Sequence, residues 1–234
     1  MADIIPAILP KSYAELEEKL ELVSGSAQVV QIDICDGAYV QSRTWPYLKA
    51  HQEDQIFAEI VSQDKALLGW EHLDFEFDLM VKGVLEKIPD FISAGASRIV
   101  VHKDSVSVEE LEQILKEYGK HSDEMGPFDI ELGLGLANTV KPEDIAPHVG
   151  RIHFVQVMGI NTIGHQGQSF EPRSVECVRA LRLAYPDLII SVDGGVSLDT
   201  GKSLVDAGAD SLVVGSGIFG TDNVLENLES FRDL

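Results

Sequence analysis

Residues 187–220 read DLIISVDGGVSLDTGKSLVDAGADSLVVGSGIFG and contain one structural unit twice. Each unit is a short apolar run that ends in glycines and continues into an amphipathic segment. The first run ends at Gly194 and Gly195, and the second ends at Gly215 and Gly217. A strand, a glycine loop and a helix in this order are typical of β/α units whose strands lie parallel.

The same pattern extends back through the rest of the chain. It predicts eight strands, at Ile4–Leu9, Gln28–Asp33, Asp74–Met80, Arg98–His102, Asp129–Leu136, Arg151–Val157, Leu188–Asp193 and Ser211–Val214. No GxGxxG follows the first strand, and the glycine loops cluster at the end of the chain. We therefore expect an α/β fold in which residues 1–234 form one (β/α)8 TIM barrel rather than an open sheet.

Helix-start signals alternate with these strands, except in one region. Helices are predicted to begin near Ser12, Leu85, Ser107, Lys141, Pro172, Asp199 and Asn223. Between Asp36 and Asp74 the pattern is weak, because Trp45-Pro46 interrupts it. A short helix is predicted there around Tyr47–His51.

Composition limits the kinds of partner that the chain can have. The 234 residues include 39 acidic and 18 basic side chains, a net charge of −21, which argues against nucleic acid and anionic membranes as partners. No apolar run approaches the length of a membrane span, and the N-terminus lacks the basic region of a signal peptide. With only Cys35 and Cys177, a disulfide framework is excluded, and we expect a cytoplasmic protein.

The glycine loops predict a binding site for a phosphate group. In a (β/α)8 barrel the loops after strands seven and eight lie side by side, and their backbone N–H groups point at the ligand. Because the net charge repels anions at long range, such a site has to act locally through these N–H groups. The expected ligand is a small phosphorylated molecule.

Alternation along three strands predicts a cluster of acids inside the barrel, since residues i and i+2 share a face. In the second strand Gln31, Asp33 and Cys35 share the inner face. The third strand gives Glu76, Asp78 and Met80, and the seventh gives Ser191 and Asp193. The acids would meet near the carboxyl ends of the strands, where barrel active sites lie. The alternative is that Asp33 and Asp193 are turn or capping residues.

Several longer motifs resemble those of the ribulose-phosphate 3-epimerase family over nearly the whole chain. The family's second-strand pattern, HxDxMDGxFVPN, corresponds to QIDICDGAYVQS at residues 31–42. Its third strand, DVHLMV, corresponds to EFDLMV at residues 76–81. Its phosphate loop, NPGFGGQxF, is similar to TIGHQGQSF at residues 162–170, and both VDGGV and VVGSGIF match closely.

This resemblance implies an isomerase that interconverts D-ribulose 5-phosphate and D-xylulose 5-phosphate. By position, Asp33 and Asp193 are the acid and base that exchange the proton at C3 through an enediolate. The other expected phosphate or substrate contacts, among which Met80 and Met158 are expected to pack from the barrel interior, are Ala7, Met80, Met158, Gly164, His165, Gln166, Gly167, Gly194, Gly195, Gly215 and Ser216. The family's oligomeric assembly implies a homo-oligomer, and no organic cofactor is expected.

Two departures from the family pattern concern a metal ion. The family holds a divalent cation with the two aspartates and two histidines, and the histidine positions are Gln31 and Asp78 here. The expected ligands are therefore Gln31, Asp33, Asp78 and Asp193. An all-oxygen set favours Mg²⁺ or Mn²⁺ over Zn²⁺ or Fe²⁺. The alternative is a metal-free site in which one or more carboxyl pKa values rise.

Two other functions remain open at this stage. One is a metal-dependent sugar-phosphate lyase or decarboxylase on the same barrel, and the other is a sugar-phosphate binder without catalysis. Two further histidines also have two interpretations each. His102, at the end of the fourth strand, either lines the site or simply bonds to a neighbour. His165 either contacts the substrate or caps its loop.

Overall fold

The computed structural model of the chain describes residues 2–49, 53–121 and 129–234. Eight parallel strands form a closed barrel in sequence order, and the first strand pairs with the eighth. The predicted TIM barrel is therefore confirmed. Within the described residues, no helix is long and apolar enough to cross a membrane.

The strands are β1 Asp3–Ile8, β2 Val29–Cys35, β3 Asp74–Met80, β4 Ala96–His102, β5 Glu131–Leu136, β6 Phe154–Met158, β7 Ile189–Asp193 and β8 Ser211–Val214. The helices are α1 Tyr13–Val23, α2 Gln55–Val61, α3 Val84–Ser93, α4 Val108–Tyr118, α5 Pro142–Ile145, α6 Arg173–Ala184, α7 Leu198–Ala207, α8 Ser216–Phe219 and α9 Val224–Arg232.

The second helix differs most from its prediction. Residues 47–49 are not helical, and the rest of the segment predicted around Tyr47–His51 lies outside the described residues. Helix α2 begins instead at Gln55, because the Asp54 carboxylate accepts a hydrogen bond from the backbone N–H of Ile56 at 2.9 Å. An aspartate at this position satisfies a first-turn donor that has no partner within the helix.

Two strands begin more than one residue later than the sequence predicts. β5 begins at Glu131 rather than Asp129, and β6 begins at Phe154 rather than Arg151. Residues 149–151 form a 3-10 turn in which the N–H of Arg151 donates to the carbonyl of His148. Because the N–H of Arg151 is used in this turn, it is not available to pair β6 with a neighbouring strand.

The outer faces of the strands form the main hydrophobic core with the helices. Phe75, Phe77 and Leu79 on β3 point outward and are fully or almost fully buried in this core. Phe77 packs on Phe91 of α3, with ring centroids 5.0 Å apart. The alternation predicted for β3 is therefore correct, and it turns Glu76 and Asp78 into the barrel.

Two charged side chains, Arg98 and Glu76, occupy the amino-terminal half of the barrel interior. Arg98 of β4 has Nε 2.9 Å from a carboxylate oxygen of Glu76, without hydrogen-bond geometry. The Arg98 guanidinium also lies over the ring of Phe154, 4.3 Å from its centroid. Burial raises the pKa of Glu76 to about 7, although the charge of Arg98 opposes this shift. This layer forms the floor beneath the acidic cluster.

Candidate active site

Three strands deliver one carboxylate each to the upper part of the barrel. They are Asp33 on β2, Asp78 on β3 and Asp193 at the end of β7. One oxygen from each carboxylate lies within 4.8 Å of the others. Asp33 and Asp78 are partners in the parallel ladder of β2 and β3, which fixes their side chains next to each other. The structure thus brings the three predicted acids together.

The amide of Gln31 links two of these acids. Its Nε2 donates to Asp33 Oδ1 at 2.7 Å and to Asp193 Oδ2 at 3.4 Å. The amide nitrogen therefore lies between the two residues predicted to be acid and base. Cys35, two positions further along β2, is fully buried and lies outside the carboxylate cluster.

Asp78 receives a hydrogen-bonded contact on each of its two oxygens. His102 Nε2 lies 2.7 Å from Oδ1, and Gln156 Nε2 donates to Oδ2 at 3.3 Å. The imidazole has room because β5 carries Gly135, where a Cβ would lie 2.8 Å from His102 Nδ1. His102 therefore lies at the acidic cluster and bonds to a neighbour there, which combines the two interpretations of this residue.

The electrostatic environment of the cluster raises acid pKa values. Burial raises the pKa of Asp33 well above its usual range, and the charges of Asp193 and Asp78 add to this shift. Burial, with the charge of Asp78, raises the pKa of Asp193 to about 7. Burial alone would lower the pKa of His102, but the charge and hydrogen bond of Asp78 outweigh it and the pKa is raised. These raised pKa values favour the protonated forms of Asp33, Asp193 and His102 near neutral pH.

The donor atoms at the cluster fit a hard divalent cation. The amide oxygens of Gln31 and Gln156 are both buried, and neither has a hydrogen-bond donor among the described residues. With three carboxylates they form a set of oxygen donors, which is the kind that Mg²⁺ and Mn²⁺ prefer. Crowded carboxylates in a buried site also need either a cation or protons to be stable.

A small cavity opens beside these acids at the carboxyl ends of the strands. It is lined by Asp33, Asp193 and every residue that the sequence assigned to substrate or phosphate binding: Ala7, Met80, Met158, Gly164, His165, Gln166, Gly167, Gly194, Gly195, Gly215 and Ser216. Its volume is about 40 Å³, whereas ligand pockets typically span about 300–1,000 Å³. A sugar phosphate would therefore have to displace part of the loops around the cavity.

Both the backbone conformation and the available space require glycine at the two positions after β7. Gly194 and Gly195 have φ values of 101° and 68°, in the region that residues with a Cβ rarely adopt. A Cβ on Gly195 would also lie 2.8 Å from the Cα of Phe170 in the loop after β6. The two loops therefore approach each other closely at this edge of the cavity.

The loop after β6 covers the cavity from one side. Gln166 Nε2 donates to the carbonyl of Ala7 at 3.2 Å and lies against Gly215, where a Cβ would be 2.5 Å away. His165 bonds to Ser42 Oγ, with Nδ1 at 3.0 Å, and so joins this loop to the loop after β2. Gln166 does not have a positive φ, so the backbone accepts a side chain at this position without strain.

Sequence reasoning missed Gln156, which contacts the acidic cluster, and four further residues that line the cavity, Ile160, Gln168, Val196 and Val213. Gln156 is fully buried inside the barrel and bonds to Asp78. The alternation of FVQVM could have found it, because Phe154, Gln156 and Met158 share a face and Met158 was already expected inside.

Comparison with known proteins identifies a family. The model of the "Ribulose-phosphate 3 epimerase family" matches residues 3–219. Ribulose-phosphate 3-epimerase of Escherichia coli (strain K12) is 30% identical, with 98% of this chain and 94% of the relative covered. Ribulose-phosphate 3-epimerase of Aquifex aeolicus is 27% identical, with 99% of this chain and 96% of the relative covered.

Solved structures of more distant proteins share the fold. The 3-hexulose-6-phosphate synthase from Salmonella typhimurium matches with a TM-score of 0.67 and 16% identity, covering 99% of this chain and 97% of that one. KGPDC from Streptococcus mutans matches with a TM-score of 0.67 and 14% identity, covering 99% of this chain and 96% of that one. At these identities the likeness supports the barrel alone.

Proposed function

Because this chain belongs to the ribulose-phosphate 3-epimerase family, we propose that it interconverts D-ribulose 5-phosphate and D-xylulose 5-phosphate. The observation that carries this proposal is the pair Asp33 and Asp193, which line one cavity together with the glycine loops. Two carboxylates beside a site for a phosphorylated ketose are what proton exchange at C3 requires.

Asp33 and Asp193 act in this proposal as a pair with unequal protonation. Burial raises the pKa of both groups and the charge of Asp78 adds to both shifts, so that the pKa of Asp193 rises to about 7. At neutral pH one carboxyl is then protonated while the other is ionised, because buried like charges close together do not both ionise. The ionised group removes the C3 proton on one face, and the protonated group returns a proton on the other.

The intermediate of this exchange is an enediolate, on which negative charge develops at the former ketone oxygen. Gln31, Asp33, Asp78 and Asp193 would hold a divalent cation, with Mg²⁺ or Mn²⁺ favoured by the oxygen donors. Such a cation supplies positive charge beside the developing oxyanion. In the absence of a cation, Gln31 Nε2 lies between the two exchanging carboxylates and donates to both.

The substrate's phosphate is proposed to bind at the loops after β6, β7 and β8. Gly164, Gly167, Gly194, Gly195 and Gly215 all line the cavity, and four of them have positive φ values. Backbone N–H groups of such loops bind phosphate without a charged side chain. This mode of binding suits a chain whose net charge is −21.

The test is proton NMR of ribulose 5-phosphate in D₂O with the purified protein, with Mg²⁺, Mn²⁺ or Zn²⁺ in parallel. Deuterium at C3 together with xylulose 5-phosphate is the expected result. Absence of exchange with every cation would refute the epimerase. If inorganic phosphate still bound, the chain would be a sugar-phosphate binder or a lyase of related chemistry, and those alternatives would then be tested.

A further inference from the structure

Two amide side chains inside the barrel each leave an oxygen without a partner. Gln31 and Gln156 are fully buried, and among the described residues no donor reaches either Oε1. Both amide nitrogens donate to carboxylates of the acidic cluster, to Asp33 and Asp78 respectively. A buried acceptor without a donor is destabilising, so these two oxygens call for a ligand.

We propose that Gln156 is a cation-binding residue and that it acts at Asp78 as Gln31 acts at Asp33. This inference rests on the proposed function, since it concerns the cation at the same carboxylates. It adds to that function a ligand from β6, a strand that contributed none of the expected ones. The resulting donor set is two amide oxygens and three carboxylates.

The geometry of the Gln156 amide allows this role without movement of the backbone. The terminal torsion of glutamine is broad and roughly twofold, so a half-turn exchanges the positions of nitrogen and oxygen. The position now held by Nε2 is 3.3 Å from Asp78 Oδ2. Two oxygens bound to one Mg²⁺ at about 2.1 Å lie about 3 Å apart in an octahedral site, which is close to this distance.

The charge at the cluster decides which end of the amide faces Asp78. Beside a bare carboxylate the N–H end is favoured, because two oxygens would repel each other. With a divalent cation among the carboxylates the oxygen end becomes favourable, because it can bind the cation. The unpartnered Oε1 then gains its ligand, and the same reasoning applies to Gln31 beside Asp33.

His102 keeps Asp78 oriented for this exchange. Its Nε2 lies 2.7 Å from Oδ1, so the other oxygen, Oδ2, remains turned toward Gln156. An imidazole that orients a metal-binding carboxylate is a common outer-shell arrangement in metal sites. His102 thus contacts Oδ1 and orients Asp78, whereas Gln156 contacts Oδ2 and is placed to bind the cation.

The experiment is titration of the chelator-treated full-length protein with Mn²⁺, with free Mn²⁺ measured by electron paramagnetic resonance. Gln156→Leu, which keeps the volume and removes the oxygen, should weaken Mn²⁺ binding by about 10-fold or more. Gln156→Glu, which restores an oxygen donor, should bind Mn²⁺ at least as tightly as the unaltered protein. Ser191→Ala is the matched control, because Ser191 is the register partner of Gln156 on β7 and its buried Oγ also has no partner in the part of the chain that the structure describes.

The result that overturns the inference is Mn²⁺ affinity in Gln156→Leu equal to that of the unaltered protein, or Gln156→Glu as weak as Gln156→Leu. Failure of the unaltered protein to bind Mn²⁺ or Mg²⁺ would also overturn it. The deuterium exchange at C3 would still test the proposed function separately, since it is measured on the unaltered protein and does not depend on Gln156 being a ligand.

A second measurement does not depend on whether the variants fold. In ¹⁵N-labelled unaltered protein, Mg²⁺ should shift the side-chain NH₂ resonances of Gln31 and Gln156, because both nitrogens leave their carboxylate acceptors. The NH₂ resonances of Gln113, which bonds to Glu117 on the outside of α4, should stay in place. Unchanged Gln156 resonances at saturating Mg²⁺ would contradict the proposal.

Discussion

At the scale of single residues, the two exchanging aspartates should be indispensable and nearly equivalent. Asp33→Asn and Asp193→Asn keep the size of the side chain but remove its ability to accept a proton. Each should lower the rate of C3 exchange by about 10²–10⁴-fold, the usual contribution of a general acid or base. The measurement is deuterium incorporation at C3 by NMR, with the exposed Asp64→Asn as the control. Exchange in either variant within tenfold of the unaltered rate would contradict the assignment.

His102 should be required for stability through its contact with Asp78. Both side chains are almost fully buried, and removal of the imidazole leaves the Asp78 carboxylate with the Gln156 amide but without its closest partner. His102→Leu should lower the free energy of unfolding by about 3 kcal/mol, as for other broken buried pairs. His102→Gln, whose amide nitrogen can reach the same oxygen, should recover part of this loss.

The measurement for the His102 variants is urea unfolding in the presence of a chelator. The double variant His102→Leu, Asp78→Leu should be more stable than His102→Leu alone, because the Asp78 carboxylate that lost its imidazole partner is removed as well. Equal stability of His102→Leu and the unaltered protein would show that Asp78 is stabilised by other means.

Residue positions inside the barrel were more predictable than the contacts among them. Alternation along β2 and β3 placed Gln31, Asp33, Glu76 and Asp78 on the inner face, because the side-chain period of a strand is two. The contact between Asp78 and His102 depends on the register of β3 against β4, which shifts between Phe75 and Glu76. Single-sequence periodicity contains no information on register, so this contact could not be derived.

At the scale of elements, the same limit explains which segments were predicted well. The bounds of strand β7 were predicted to within one residue. Its apolar run ends at a pair of glycines, and such a pair marks the end of a strand and the start of a turn. Helix α2 was missed, because its start depends on a single aspartate cap and the whole helix is only seven residues long. Short elements have too few periods for the pattern to be recognised.

Strand β5 should be sensitive to the size of its inward-facing residues. A Cβ on Gly133 would lie 2.3 Å from the ring of Phe154, which is fully buried and cannot withdraw. Gly133→Ala should therefore lower the free energy of unfolding by about 1–3 kcal/mol through overpacking. Gly150 is the matched control, because its φ is not positive and no atom of the described residues lies within 4 Å of the added Cβ.

The measurement for these glycine variants is chemical denaturation at one pH, with both variants compared with the unaltered protein. Gly150→Ala should leave the unfolding midpoint unchanged or slightly higher, since alanine restricts the unfolded chain more than glycine does. Equal midpoints for the two variants would mean that Phe154 repacks easily. The layer above Arg98 would then be looser than its contacts indicate.

At the scale of the whole molecule, several buried groups should make stability depend on pH in one direction. The pKa values of Asp193 and Glu76 are raised to about 7, and those of Asp33 and His102 are also raised. A group with a raised pKa holds its proton more tightly in the folded state. The associated stability is fully present below the unfolded pKa and is lost as pH rises through the folded pKa.

The cation-free protein should therefore unfold more easily at pH 8 than at pH 5.5. Between the unfolded carboxyl values near 4 and the folded value of about 7, each extra proton of the folded state changes stability by about 1.4 kcal/mol per pH unit. His148 and His153 act in the opposite direction, because burial lowers their pKa values. Both histidines are only partly buried, whereas Asp33 and Glu76 are buried and Asp193 lies partly buried beside Asp33, so the acids should dominate.

A divalent cation should reverse this loss, because it binds the ionised carboxylates and competes with their protons. Saturating Mg²⁺ should thus raise the melting temperature by several degrees at pH 8 and by much less at pH 5.5, where protons already neutralise the cluster. Differential scanning calorimetry with and without a chelator at both pH values measures this difference. Asp78→Asn should reduce the Mg²⁺ effect at pH 8, since it removes one charge and one donor from the site. A Mg²⁺ effect that is equal at the two pH values, or larger at pH 5.5, would show that the cation binds elsewhere than at Asp33, Asp78 and Asp193.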